Sequence, residues 1–199
     1  MSRRLLLAGL IGLTLSVPAV PAGAAEDIEA LAARTPWRTE NGRETRSFEF
    51  PGGVVIVQER HGENISTTGF DKSPGGAVLC LAQVLIGVQV EEDMCPGRND
   101  EWAREIGTAL DRIYSFIAAN SLTPTTKDEV LVWSKRKTAE FKDHLRKSYE
   151  RPGDAASLCR AIGQEGFGGR FRMLGLEALR AHVDKALAVP RPPVLNPCL

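Results

Sequence analysis

Residues 77–90 read AVLCLAQVLIGVQV, and a helix of this sequence would be apolar on nearly every side. The stretch suits a buried helix in length, because buried strands usually span only about four to eight residues. Its valines and its isoleucine are β-branched and would equally suit a buried strand, so that alternative stays open. We expect a helix, and because it lacks a polar face we expect it at the centre of the core.

Two amphipathic helices are predicted after this stretch. The first runs over residues 100–119, capped by Asn99 or Asp100, and its apolar residues recur at steps of three and four. The second runs over residues 126–149, because Thr126–Glu129 matches the capping-box pattern. The predicted buried positions are Trp102, Ile106, Ala109, Leu110, Ile113 and Ile117 in the first helix, and Leu131, Ser134, Thr138, Phe141, Leu145 and Ser148 in the second.

Shorter helices are predicted on either side of this pair. Residues 27–34 are rich in Ala and Leu and suit one or two helical turns. Asp154 is the expected cap of a helix through Ile162. A last helix is expected from about Leu174 to Ala188, burying one apolar stripe. That stripe consists of Leu176, Leu179, Val183 and Leu187.

The segment from about residue 37 to 70 has the character of strands. Asn41-Gly42 and Pro51–Gly53 are turn signals, and Val54–Val57 is a β-branched run. We predict an antiparallel meander of two or three strands, which must pack on the helical part because a small sheet alone is marginal. The expected fold is therefore α+β and α-dominated: a small N-terminal meander on a four- to five-helix bundle with two disulfides.

Residues 1–24 have the pattern of a cleavable signal peptide. Arg3 and Arg4 precede an uncharged apolar run, and Ala22-Gly23-Ala24 offers small residues at the cleavage positions. The expected mature chain, 25–199, is one domain with its helical part at about 74–188 and a proline-rich tail at 189–199. The style of the signal is bacterial and predicts the periplasm, with secretion as an alternative. The Sec route is favoured over the twin-arginine route that the two arginines would also permit.

The charge of the mature chain excludes some partners. Cleavage would remove Arg3 and Arg4 but no acid, which leaves a net charge of −2. Nucleic acid and anionic membrane surfaces attract proteins with a basic excess, so we expect neither as the main partner. No further apolar run is long enough for a membrane span in the mature chain.

All four cysteines lie after the signal peptide. Their spacings lack the close pairs of a zinc site, and an even number in an exported chain predicts two disulfides. Helices 100–119 and 126–149 should run antiparallel, which brings Cys95 and Cys159 to the same end of the pair. We favour Cys95–Cys159 with Cys80–Cys198, and the sequential pairing Cys80–Cys95 with Cys159–Cys198 stays open.

One loop is a candidate ligand site. Gly163–Gly169 is glycine-rich and is followed by Arg170 and Arg172. Backbone N–H groups of Gly168 and Gly169, together with two guanidinium groups, could hold an anion such as a phosphate or a carboxylate. Termination of a helix by a flexible connection would also explain these glycines.

Other reactive side chains give weaker signals. His61, His144 and His182 lack the spacing of a metal or catalytic motif, so we interpret them as solvated surface residues, although a two-histidine, one-carboxylate site is conceivable. Glu91–Asp93 is interpreted as a solvated acidic run that carries the chain back to water. No cofactor motif is present and no metal is expected.

The chain resembles no family that these residues identify. We expect a non-enzymatic binding or accessory module for a protein component of the cell envelope. The alternative is a small periplasmic enzyme or anionic-ligand-binding protein whose site lies near Gly163–Arg172. Neither the specific partner nor the oligomeric state follows from the sequence.

Overall fold

The computed structural model describes residues 28–40, 42–95, 100–151, 154, 156–166, 168 and 173–198. Within them the fold is α+β and helix-dominated, as predicted. The helices are α1 (Ile28–Arg34), α2 (Val78–Met94), α3 (Asp100–Asn120), α4 (Lys127–Tyr149), α5 (Ser157–Glu165) and α6 (Leu176–Leu187). The strands are β1 (Arg38–Glu40), β2 (Arg43–Phe50), β3 (Val54–His61) and β4 (Asn64–Asp71).

The strands form one antiparallel sheet in the order β1-β2-β3-β4. Alternate residues of β2 and β3 face inward, so that Phe48 lies opposite Ile56 and both are buried. Helix α1 packs on this inner face through Ile28 and Leu31. The predicted meander is confirmed, but it has four strands instead of two or three. The additional strands were hard to predict because β1 is short and β4 carries mostly polar side chains.

Helix α2 is the centre of the core, which confirms the helical interpretation of residues 77–90. It contacts both α3 and α4, and Leu85 and Ile86 are fully buried. The helix continues four residues beyond Val90, to Met94. The prediction of a solvated acidic run is therefore wrong at Glu91 and Glu92, which are 2% and 9% exposed.

The predicted pair of long helices is confirmed. Thr126 and Glu129 form the capping box, with the Glu129 N–H donating to Thr126 Oγ1 at 3.2 Å. Ser134 of α4 and Tyr114 of α3 share a buried hydrogen bond. Burial also raises the pKa of Tyr114, because it disfavours the phenolate. The buried positions of α4 are Val130, Ser134 and Leu145, so the predicted stripe was right at two of them.

The start of α5 corrects one expectation. The helix begins at Ser157, and no side chain caps it. Asp154 instead accepts the Ala156 N–H at 3.1 Å and pairs with Arg160. Its carboxylate therefore shapes the turn before the helix and does not cap it. Helix α6 lies within the range predicted for the last helix and buries Leu179, Val183 and Ala186.

The C-terminal tail is built into the fold. Val194 is buried between the sheet and α2, and its carbonyl accepts the Leu79 N–H at 3.1 Å. Arg191 is 3% exposed, and its Nε donates to Asp71 Oδ2 at 2.7 Å. The rest of its guanidinium donates to the carbonyls of Ala186, Val189 and Gly76. The tail thus closes the edge between the sheet and α2.

The two disulfides are Cys80–Cys198 and Cys95–Cys159, the pairing favoured from the helix geometry. Cys80 lies in the first turn of α2, whereas Cys95 directly follows its last residue. One bridge therefore joins the start of α2 to the tail, and the other joins its end to α5. None of the helices in the described ranges is both long and apolar enough to cross a membrane.

Candidate functional site

A cleft of about 130 Å³ opens where the ends of α2, α4 and α5 meet. The cleft is open and is lined by both apolar and polar side chains. It adjoins the glycine-rich loop that the sequence suggested as a candidate ligand site. The residues around it are Gly87, Glu91, Phe141, His144, Leu145, Tyr149, Ala161, Ile162 and Gly166.

Helical spacing places these residues side by side. Gly87 and Glu91 are four residues apart on α2 and therefore occupy one face of that helix. On α4, Phe141, Leu145 and Tyr149 follow the same spacing, and His144 lies three residues after Phe141. A Cβ at Gly87 would lie 3.5 Å from the ring of Phe141, an ordinary van der Waals distance, so α2 and α4 pack closely at this position. Gly87 contributes only backbone to the lining of the cleft.

A buried carboxylate, that of Glu91, lies at the floor of the site. The Gly168 N–H donates to Glu91 Oε2 at 2.7 Å, and this hydrogen bond is buried. A Cβ at Gly166 would overlap the Ile162 carbonyl oxygen and lie 2.7 Å from the same carboxylate oxygen. A Cβ at Gly168 would lie 3.0 Å from Glu91 Oε2 and 3.5 Å from Glu92 Oε1. These two glycines are therefore needed for close contact with the acids of α2, a role beyond ending a helix.

The Cys95–Cys159 disulfide braces the same corner. Cys95 follows α2 directly, and Cys159 lies on α5 two residues before Ala161. Covalent attachment at this position fixes the wall formed by α5 against the wall formed by α2. The cleft is thus built between elements whose spacing is held by a bond and by a buried hydrogen bond.

The structure describes only one of the predicted anion-binding residues. Gly168 lies beside the cleft, but its N–H donates to Glu91. Gly169, Arg170 and Arg172 lie outside the described residues. An anion site at this loop stays a prediction, and the Gly168 N–H would have to leave the Glu91 carboxylate to serve it.

The structure separates the three histidines. His144 is exposed and lies at the cleft, whereas His182 is exposed on α6. His61 lies at the end of β3, with its Nε2 3.4 Å from Glu59 Oε2. Among the described residues no group of three His, Cys, Asp or Glu side chains is placed to hold a metal ion.

Sequence reasoning missed Glu91, Tyr149 and Gly87 as site residues. A glycine within an otherwise apolar helical stretch is the one local signal that marked this place, because glycine weakens a helix and needs a packing reason. Nothing local marked Glu91, because its contacts come from a segment 77 residues further along the chain.

The lining limits what the cleft can hold. Phe141, Leu145 and Ile162 give it apolar walls, and His144 and Tyr149 add groups that can donate or accept hydrogen bonds. Pockets for whole cofactors and drug-sized ligands measure about 300–1,000 Å³, well above this cleft. An apolar cavity of about 150 Å³ accommodates benzene, so the space here suits a group of five or six heavy atoms.

Comparison of this chain with models of known protein families, with curated proteins and with solved structures finds no match.

Proposed function

We propose that this protein is an exported, non-enzymatic accessory module of the bacterial cell envelope. It binds a protein partner by holding one apolar side chain of that partner in the cleft between α2, α4 and α5. The single observation that carries the proposal is the cleft of about 130 Å³ with apolar walls and a polar rim.

The size of the cleft favours a side chain over a free metabolite. A Leu, Met or Phe side chain has four to seven heavy atoms, roughly what a cavity of this volume accepts. Protein interfaces commonly depend on one or two such anchors that enter a well-packed pocket, with weaker contacts around them. A cleft for one side chain is therefore a sufficient binding site for a protein partner.

The polar rim suits the main chain of such a partner. An inserted side chain brings its own N–H and C=O groups to the mouth of the cleft, where they need partners. His144 and Tyr149 lie at the cleft and carry side chains that can supply donors and acceptors. Glu91 holds the neighbouring loop in place through the Gly168 N–H.

Export is supported by two independent features. The sequence of residues 1–24 has the pattern of a signal peptide. The two disulfides are the kind of bond that persists in the periplasm and outside the cell but is rare in the cytosol. The periplasmic address is part of the proposal.

Filling the cleft tests the proposal. Ala161 lines the cleft on α5, and Ala161→Leu adds three carbon atoms to it. Ala139 is exposed on α4 away from the cleft lining, so Ala139→Leu is the matched control. The mature protein and both variants serve as baits in envelope fractions of the source cells, with quantitative mass spectrometry of what each retains. A true partner is retained by the wild type and by Ala139→Leu and is lost from Ala161→Leu.

Two results would overturn the proposal. One is a set of retained proteins that is the same for all three baits, since the cleft would then hold none of them. The other is no specific retention by any bait after chemical cross-linking in intact cells. Circular dichroism of both variants confirms that each keeps its helical content.

A small enzyme or anion-binding protein is the second candidate, and it too has an observation in its favour. His144 and Tyr149 share a cleft with a buried carboxylate, and these residue types perform general acid–base chemistry. Calorimetric titration with inorganic phosphate distinguishes this candidate. Saturable binding that His144→Ala weakens and His182→Ala leaves unchanged would favour it over the accessory role.

A further inference from the structure

The two edges of the sheet differ in how they are protected. Edge strands expose backbone N–H and C=O groups, and natural proteins protect them with short strands, charges or proline. β1 is three residues long and has Arg38 and Glu40 at its ends. β4 is eight residues long, and residues 64–70 include neither a charged residue nor a proline. β4 therefore lacks the sequence features that prevent pairing with another strand.

The hairpin geometry shows which groups of β4 point away from the sheet. His61 and Asn64 flank the two-residue turn, so the Asn64 N–H points toward β3. The direction of the backbone N–H and C=O groups alternates along an antiparallel strand. At Ile65, Thr67 and Gly69 these groups therefore point away from β3. Asp71 belongs to the same outward set, and its N–H donates to the Asn196 carbonyl at 2.7 Å.

The tail covers only the far end of this edge. Phe70 and Asn196 form a parallel bridge, so the chain around Asn196 occupies the edge beside Gly69 and Asp71. Within the described ranges, no strand or bridge adjoins the outward side of Ile65 and Thr67. Residues 64–68 are also exposed, and Ile65 is 49% exposed.

We propose that β4 pairs with β4 of a second copy of this chain, across a twofold axis at Ser66. Antiparallel pairing centred on Ser66 places Ile65 of each copy opposite Thr67 of the other. These are the two residues whose outward groups the tail leaves open, so the pair exchanges four N–H···O bonds. The two sheets become one continuous sheet of eight strands.

The length of the open edge favours an identical copy as the occupant. In this register residues 64–68 of one copy pair with residues 68–64 of the other, and the next position, Gly69, is where the tail begins. The tail would therefore block pairing that extended to Gly69, whereas residues 64–68 of a second copy fit the open part of the edge. No like charges meet, because these five residues are uncharged. The β-branched side chains of Ile65 and Thr67 face each other across the axis, which is favourable in cross-strand pairs.

A charge-swap experiment tests this register. Ser66→Lys and Ser66→Glu each place two like charges directly opposite at the axis, and each variant alone is expected to stay monomeric in sedimentation velocity runs over rising concentration. An equimolar mixture is expected to recover the dimer, because a lysine then faces a glutamate. Wild-type protein is expected to shift reversibly from monomer to dimer with concentration, since the pairing is short.

Ser47→Lys is the matched control. Ser47 is exposed on the same outer face as Ser66 but lies on β2, opposite Val57 of β3 and away from the β4 edge. This variant is expected to dimerise like the wild type, which separates the edge from a general effect of charge. A wild type that is monomeric at every concentration, single variants that still dimerise, or a mixture that stays monomeric would each overturn the proposal. Circular dichroism confirms the fold of each variant.

Discussion

The two ends of α2 carry the same kinds of parts but use them differently. Each end has a disulfide and a buried acid: Cys80–Cys198 with Asp71 at the tail, and Cys95–Cys159 with Glu91 at the cleft. At the tail the Asp71 carboxylate pairs with the Arg191 guanidinium, and both side chains are 1% exposed. At the cleft the acid lies beside an opening of about 130 Å³.

The difference separates a region whose buried acid contributes to stability from a region whose buried acid lies beside space for a ligand. Arg191 donates to one carboxylate and three carbonyls, so four of its five N–H groups are used within the fold. The cleft keeps space between its walls and polar side chains at its mouth. A buried acid alone therefore does not mark a candidate site, whereas a buried acid beside an open volume does.

The largest expected effect is at the tail. Asp71→Ala leaves the Arg191 guanidinium buried without its counter-charge, and such losses cost about 3–5 kcal/mol of unfolding free energy. Asp184→Ala is the control, because Asp184 pairs with Arg112 at 2.6 Å but is 63% exposed. Exposed pairs contribute about 0–1 kcal/mol. Urea denaturation measures the unfolding free energy of both variants. Equal losses would contradict the stabilising role of the buried pair at the tail.

Removing the disulfides compares the two ends directly. Replacing both cysteines of either bridge by Ala is expected to cost about 2–4 kcal/mol, since each bridge restricts the unfolded chain. The loss should be slightly larger for Cys80–Cys198, which spans 118 residues, than for Cys95–Cys159, which spans 64. Denaturant midpoints measure the stabilities. Only the second pair of substitutions should also weaken retention of a partner, and equal weakening by both would remove the distinction between the ends.

A smaller effect is expected from a methyl group at the cleft. Gly166→Ala forces a Cβ against the Ile162 carbonyl and Glu91 Oε2, which should cost about 1–3 kcal/mol. Gly107→Ala is the matched control inside α3, where nothing lies within 4 Å of the added Cβ. That control should gain about 0.5–1 kcal/mol, because alanine favours a helix over glycine. Thermal unfolding measures both, and a neutral Gly166→Ala would show that the loop can move away from the acid.

The smallest effect concerns a surface pair between α3 and α6, removed from this contrast. The hydrogen bond from the Arg180 guanidinium lowers the pKa of Glu105, whose Oε2 is 2.7 Å away. A lowered carboxyl pKa adds stability above the unfolded value of about 4.3, and this stability is lost as the pH falls through the folded pKa. Because Arg180 is 52% exposed, solvent screens the pair and its contribution should be smaller than the effects predicted above.

Titration of the Glu105 carboxyl by NMR checks this expectation. Arg180→Gln should raise the pKa of Glu105 toward its ordinary value, and the acid limb of the stability curve should flatten slightly. Arg104→Gln changes a neighbouring exposed arginine and should leave the Glu105 titration where it is. A shift of equal size in both variants would point to general charge and not to the hydrogen bond.

Local signals in the sequence predicted much of the fold. The spacing of apolar residues predicted α3 and α4 closely, and the capping box at Thr126 and Glu129 was found where expected. The antiparallel arrangement of these two helices, a consequence of their short connection, favoured the disulfide pairing that is observed but left the sequential pairing open. In each case the determining contacts lie close together in the chain or follow from one simple topology.

The rest depended on contacts between distant segments. Three successive acidic residues after Val90 suggest a solvent-exposed segment. Only the close approach of Gly166 and Gly168 in the folded chain shows that Glu91 is buried. Arg191 stands in a proline-rich tail, where no local pattern predicts a buried charge. Half of the residues of β4 are serine, threonine or asparagine, so its pairing was visible only through its neighbour β3.

The order of the bridged cysteines has a consequence for how the molecule is made. The Cys95–Cys159 loop lies wholly inside the Cys80–Cys198 loop, so the first cysteine of the chain pairs with the last. A chain that crosses a membrane N-terminus first presents Cys80 and Cys95 to an oxidant long before Cys198 emerges. Oxidation in order of emergence would join the wrong pair, and thiol–disulfide exchange would have to correct it. Under the export proposed above, we therefore expect biosynthesis of this protein to depend on a disulfide isomerase and not on an oxidase alone.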